Sequence, residues 1–165
     1  MFKTVLLIIV FLIPCFIGVK LAGCIRARHK QIECICLIIS ETQTQIKYGA
    51  VPLKDIIKAL SQDKRFSSLI PSGFSEYDHD CAERFSDHII SSQMCCLKSE
   101  EKTMLKDFFN NIGKTDIDGQ TEHCELYMRK FKILLEDPDN AEQKKMKALP
   151  SLGIFIGAFL VIMFI

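Results

Sequence analysis

Apolar residues crowd the two ends of this 165-residue chain and alternate with polar ones in between. Residues 4–19 are almost wholly apolar, and only Lys20 interrupts the run before Ile25. As a helix, Thr4 to Ile25 would span roughly 30 Å, about the hydrocarbon thickness of a bilayer. Lys20 lies near one end of it and can snorkel to the headgroups. Pro14 is tolerable there if the carbonyl it frees finds a partner. A second apolar run, Leu149 to Ile165, is about 17 residues long, the low end for a span. Gly153 and Gly157 fall four apart on one of its faces. That spacing either lets two helices approach closely or is simply tolerated in lipid.

The middle of the chain reads as helical throughout. Ile32, Ile35, Ile39, Thr42 and Ile46 step by 3, 4, 3 and 4, one stripe of a helix into which the first apolar run is expected to continue. Tyr48-Gly49-Ala50-Val51-Pro52 breaks it, with Gly49 as C-cap and Pro52 in the first turn of the next helix. Leu53, Ile56, Ile57 and Leu60 then mark a short amphipathic helix, so a helical hairpin is predicted. A short helix over Arg65–Ile70 is expected before the turn Pro71-Ser72-Gly73. Cys81, Ala82, Phe85, Ile89 and Ile90 recur at helical spacing. Ser99 is the expected cap of a helix with Glu100 and Glu101 in its first turn. Its apolar face is Met104, Leu105, Phe108, Phe109 and Ile112, and Gly113 ends it. Thr115 is the expected cap of a last long helix, with Asp116 and Asp118 at its start and Ile117, Gln120, Cys124, Met128, Phe131 and Leu135 as its stripe. Asp137-Pro138 interrupts that helix and can restart it towards the second apolar run. No stretch alternates with period two. The expected fold is all-α, about five or six helices around one core, with one transmembrane helix at each end. The expected limits are an anchor over 1–25, a helical domain over 26–147 and a second membrane helix over 148–165.

Charge changes the picture by orienting it. Lys20, Arg26, Arg28 and Lys30 follow the first apolar run, and Lys144, Lys145 and Lys147 precede the second. Both positive flanks face the middle of the chain, which puts the helical domain in the cytoplasm. A competing reading rests on Leu21-Ala22-Gly23-Cys24, which has the form of a bacterial lipobox and would make the protein an exported lipoprotein, or a membrane-anchored ligand-binding sensor, lipidated at Cys24. Against it, Lys20 sits inside the stretch that should be apolar, and three cations would have to cross the membrane directly behind the cleavage site. The eight cysteines contain no Cys-x-x-Cys and fit small thiols in a reducing compartment.

The net charge of +1 leaves no basic excess for nucleic acid. There is no phosphate-cradling glycine loop and no nucleophile elbow. His79, Cys81, His123 and Cys124 can be imagined around zinc, but at spacings unlike any finger or ribbon. Glu76, Asp78, Asp80 and Glu83 lack the glycine and terminal glutamate of a calcium loop and read as a solvated helix start. No catalytic residue, cofactor or small-molecule substrate is expected.

Two motifs carry more. "ETQTQIKYGAVPL", residues 41–53, resembles the segment of the stage III sporulation protein AB family in which a Glu-rich helix ends in Tyr-Gly-x-x-Pro-Leu. "NNIGKTDIDGQ", residues 110–120, resembles that family's Leu-Gly-x-x-Asp-x-x-x-Gln segment. The layout of two terminal membrane helices around a cytoplasmic middle is similar too, while residues 64–98 depart from the family pattern. The resemblance implies a fold similar to the cytoplasmic domain of the type II secretion platform protein F. It further implies a non-enzymatic scaffold in a secretion-like complex around the developing spore, in the outer forespore membrane on the mother-cell side. The implied partners are the bilayer, other subunits of the complex and its cytoplasmic ATPase, stage III sporulation protein AA. The implied structural or partner-contact residues are Glu41, Tyr48, Gly49, Pro52, Leu53, Gly113, Asp116 and Gln120. Gly49 would permit a positive φ or a close approach, Tyr48 would pack its ring at the joint, and Glu41 and Gln120 would supply a buried hydrogen bond or a docking contact.

Overall fold

A computed structural model describes residues 2–49, 51–70, 81–92, 95–136 and 141–164, with backbone alone at 2–7, 141–147 and 164. The elements are α1 (Phe2–Thr44), a π-helical turn (Gln45–Gly49), α2 (Leu53–Gln62), a 3₁₀ turn (Lys64–Phe66), α3 (Cys81–Ser91), α4 (Ser99–Asn111), α5 (Ile117–Glu136) and α6 (Ala141–Phe164). No strand occurs among the described residues, so the protein is all-helical as its periodicity predicts. The first apolar run does continue into the isoleucine stripe, within one helix of 43 residues. The Pro71 turn, the acidic residues 76–80, Met94 and Asp137-Pro138 lie outside the described residues.

The chain divides into two compact units, Arg28–Asp137 and Met1–Ala27 with Pro138–Ile165. The first is a globular core. Ile32, Ile35, Ile39, Thr42 and Ile46 are all buried, joined by Ile38 on the same face. Against them pack Ile56, Ile57 and Leu60 of α2, Phe85 and Ile89 of α3, Leu105, Phe108 and Phe109 of α4, and Cys124, Tyr127 and Phe131 of α5. Phe109 meets Phe85 and Phe108 edge-on, with centroids 5.1 and 5.0 Å away, an arrangement that suits the ring quadrupoles. Phe66, Leu69 and Ile70 close the core from a 3₁₀ turn and bend rather than from the helix expected over Arg65–Ile70.

Several boundaries differ from the expected ones. Lys98, not Ser99, precedes α4, and its backbone N–H donates to the Glu101 carboxylate at 2.8 Å. Asp116, not Thr115, caps α5 by accepting the Gly119 N–H at 3.0 Å. Ile117 begins α5 half exposed instead of in the core, and Tyr127 takes a core place that the stripe did not assign it. Pro52 stands just before α2, its carbonyl accepting from the N–H groups of Asp55 and Ile56.

The second unit pairs α1 with α6. Gly18 lies against the backbone of Leu149 and Pro150, Gly153 against Pro14 and Cys15, and Gly157 against Phe11. The falling numbers on one helix against rising numbers on the other make the pair antiparallel. The Cys15 thiol donates to the Gly153 carbonyl across the contact, at 3.8 Å. Of the two alternatives for Gly153 and Gly157, close packing is the one adopted. Among the described residues one helix, Ile8–Gly49, is long and apolar enough to cross a membrane; its most apolar stretch has mean hydropathy 2.5. The apolar helix Ala148–Met163 is shorter.

Candidate functional site

Two joints of the core unit carry the motif residues. At the first, α1 does not stop in an ordinary cap. It widens into the π turn, whose residues Lys47, Tyr48 and Gly49 are exposed while Ile46 stays buried. Such turns occur often at functional sites. Gly49 does not take a positive φ; Gly113 is the positive-φ glycine among the described residues. Gly49 is instead a place of close approach, where an added Cβ would lie 2.9 Å from Val51 Cγ2. Tyr48 does not pack at the joint. Its ring is 78% exposed, with the Lys47 ammonium 5.6 Å from its centroid.

At the second joint, α4 ends as the Ile112 N–H reaches back to Phe108 O, and Gly113 turns the chain with φ +83°. An L side chain there would be strained by its Cβ. Asp116 and Gln120 then secure the start of α5. Gln120 donates from Nε2 to the Thr115 carbonyl at 2.8 Å, and its backbone N–H donates to Asp116 O. Glu41 sits on α1 one turn before the π turn, half buried, accepting a long 3.5 Å bond from Gln45 Nε2. Glu41 and Gln120 therefore serve separate local contacts rather than a shared buried bond.

The structure brings the joints together at Leu53 and Gly113. A Cβ on Gly113 would lie 3.1 Å from Leu53 Cδ2, and the π turn lies against α5. Beside this contact opens a cleft of about 370 Å³, lined in part by Leu53, Phe109, Ile112, Gly113 and Lys114. Two solvent-facing apolar side chains, Tyr48 and Ile117, stand on the two joined segments.

Several polar groups that hold this unit together escaped the reading of the sequence. Arg28 pairs with Glu101 through Nε, 3.1 and 3.0 Å from the two carboxylate oxygens, and through Nη2. The Glu101 side chain is buried, 3% exposed, and that of Arg28 is partly buried, 13% exposed. Glu101 thus satisfies a guanidinium and a helix-end N–H at once. Gln31, also buried, donates from Nε2 to Ser68 O and accepts the Cys96 N–H on Oε1, tying three segments together. A signal existed: Arg28, Gln31 and Ile35 are spaced 3 and 4 apart, so two polar residues extend the core stripe.

His123 stacks on Phe108 with centroids 5.3 Å apart and planes 11° apart, and its Nε2 lies 3.1 Å from Phe108 O. Cys124 is buried beneath it. Burial pushes its thiol up to about 12, and the Glu125 carboxylate adds to the rise. Among the described residues no three His, Cys, Asp or Glu side chains gather as metal ligands; His79 lies outside them.

What fold and site define is a helical protein with a long apolar N-terminal helix, whose singular features are joints between helices. The chain belongs to the stage III sporulation protein AB family, whose model matches residues 3–165, including the stretch 64–98 that departs from the expected pattern. It is similar to stage III sporulation protein AB of Bacillus subtilis (strain 168), 26% identical over 155 residues that cover 88% of this chain and 89% of that protein. No solved structure matches it. A sporulation role follows from the family, and the family's description states no enzymatic activity.

Proposed function

We propose that the chain is a non-enzymatic platform subunit of a secretion-like complex of the sporulating cell. On this reading residues 1–25 and 148–165 sit in the outer forespore membrane and the helical domain over 26–147 faces the mother-cell cytoplasm. There it docks the complex's ATPase, stage III sporulation protein AA, through the joined helix ends. The observation that carries this is the meeting of the two motifs at Leu53 and Gly113, on segments that also leave Tyr48 and Ile117 exposed. An exposed tyrosine at a helix end is the kind of group that anchors protein interfaces.

The docking test is co-purification of the ATPase with the full chain from detergent-solubilised membranes. Tyr48→Ala with Ile117→Ala should abolish it while helicity by circular dichroism stays unchanged. Undiminished co-purification would overturn the assigned surface. Topology is tested separately with single cysteines at Ser61 and Lys114 and a membrane-impermeant maleimide. Protection in intact cells with labelling after lysis supports the cytoplasmic placement. Labelling in intact cells would instead favour an exported domain lipidated at Cys24.

A further inference from the structure

We propose that the apolar helix Ala148–Met163 enters the bilayer as the second leg of an intramolecular hairpin with α1, and that its insertion depends on that pairing. The proposal rests on the membrane placement above. At 1.5 Å per residue this stretch of 16 residues reaches roughly 24 Å, against about 30 Å of hydrocarbon. A helix that short gains little by spanning alone and must thin the bilayer or find company. α1 provides the company. Added Cβ atoms at Gly18, Gly153 and Gly157 would lie 2.7, 2.7 and 2.9 Å from the carbonyl oxygens of Leu149, Pro14 and Phe11. Backbone cannot swing aside as a side-chain tip can, so any larger residue at these positions forces the helices apart. In lipid, where tails are as apolar as leucine, such close approach is the main source of helix association.

The remaining faces look elsewhere. Ile154, Phe155, Ile156 and Phe159 are 51–73% exposed, while Gly153 and Gly157 are buried. The glycine pair is therefore consumed within the chain and is not on offer to a second copy. An apolar cleft of about 430 Å³, with no polar lining, lies between Phe11 and Leu12 of α1 and Ala158 and Ile162 of α6. Its lining suits lipid tails.

The test uses the full chain in membranes, with Cys15→Ser to keep a donor, the other native cysteines replaced, and one new cysteine at Phe159. An aqueous maleimide is applied to opened vesicles. The reference chain should resist labelling. Gly18→Leu and Gly153→Leu should raise labelling several-fold. Gly23→Leu should not, because nothing lies within 4 Å of an added Cβ there. Equal resistance in all variants would overturn the dependence on α1. A labelled reference chain would overturn the membrane placement of α6 itself. A second measurement needs no glycine variant: Phe11→Cys with Ala158→Cys, on the shared cleft, should oxidise to a disulfide within one chain. Disulfides only between chains would overturn the hairpin.

Discussion

The two units of this protein use the same residues in opposite ways. In Arg28–Asp137, isoleucine and phenylalanine are buried almost completely: Ile35, Ile57 and Phe108 are 0% exposed. In the α1–α6 unit, Ile13, Phe16 and Phe155 are 54–73% exposed, and the buried positions include Gly18, Ala22, Gly153 and Gly157. The first arrangement is what water dictates, apolar bulk inside and charge outside. The second, with small residues at the contact and bulk outward, is what a hydrocarbon solvent dictates. On the membrane placement proposed above, one chain carries the imprint of two solvents.

That contrast can be broken most sharply by truncating a ring on each side. Phe108→Ala should cost about 3–5 kcal/mol in urea unfolding of the detergent-solubilised chain, as a large cavity opens in the core. Phe155→Ala, on the outward face of α6, should leave the same transition in place. Equal effects would show that the units do not differ in solvent.

Two of the arginine–carboxylate pairs extend the comparison into the core unit. Glu101→Ala removes a buried carboxylate that pairs with Arg28 and accepts the Lys98 N–H, and should cost about 3 kcal/mol. The Asp63–Arg65 pair lies at the surface. Its hydrogen bonds to Arg65 hold the Asp63 carboxyl below its ordinary pKa. Any stability it lends is therefore present above the unfolded pKa and fades as acid protonates the folded form. In solvent such pairs contribute little, so Asp63→Asn should not shift the unfolding midpoint measurably at neutral pH.

Smaller effects separate the joints. Gly113→Ala should cost about 1–2 kcal/mol, because φ +83° strains any L residue. Asp116→Ala removes an N-cap worth about 1 kcal/mol. Gly49→Val should misorient the hairpin by steric conflict with Val51 and Gln45, seen as lost docking with retained helicity. The gentlest probe is chemical. Cys124, with its thiol raised to about 12, should resist maleimide at neutral pH until the chain is unfolded in urea. Rapid labelling of the folded protein at Cys124 would contradict its burial.

The helices were legible because a stripe such as Ile32–Ile46 records burial in its spacing alone. The joints were legible as places, since Gly49, Pro52 and Gly113 are poor in helix interiors. Their geometry was not. Composition does not distinguish a π turn from a glycine cap, nor a packed Tyr48 from one that faces solvent. The Arg28–Glu101 pair was hidden for another reason. Pattern reasoning sees neighbours along a helix, and these two residues are 73 positions apart. The same holds for Gln31, whose partners come from two distant segments.

That separation sets an order of events. On the membrane placement proposed above, Arg28 belongs to the positive cluster that holds the first helix in its orientation while the chain is being made. With synthesis at 5–20 residues per second, Glu101 emerges roughly 4–15 s after Arg28. For that interval Arg28 lacks its Glu101 partner; afterwards it is a partly buried ion paired with a buried carboxylate. One side chain can therefore act first as an address and then as a rivet, while Lys20, Arg26 and Lys30 stay exposed as the rest of the address.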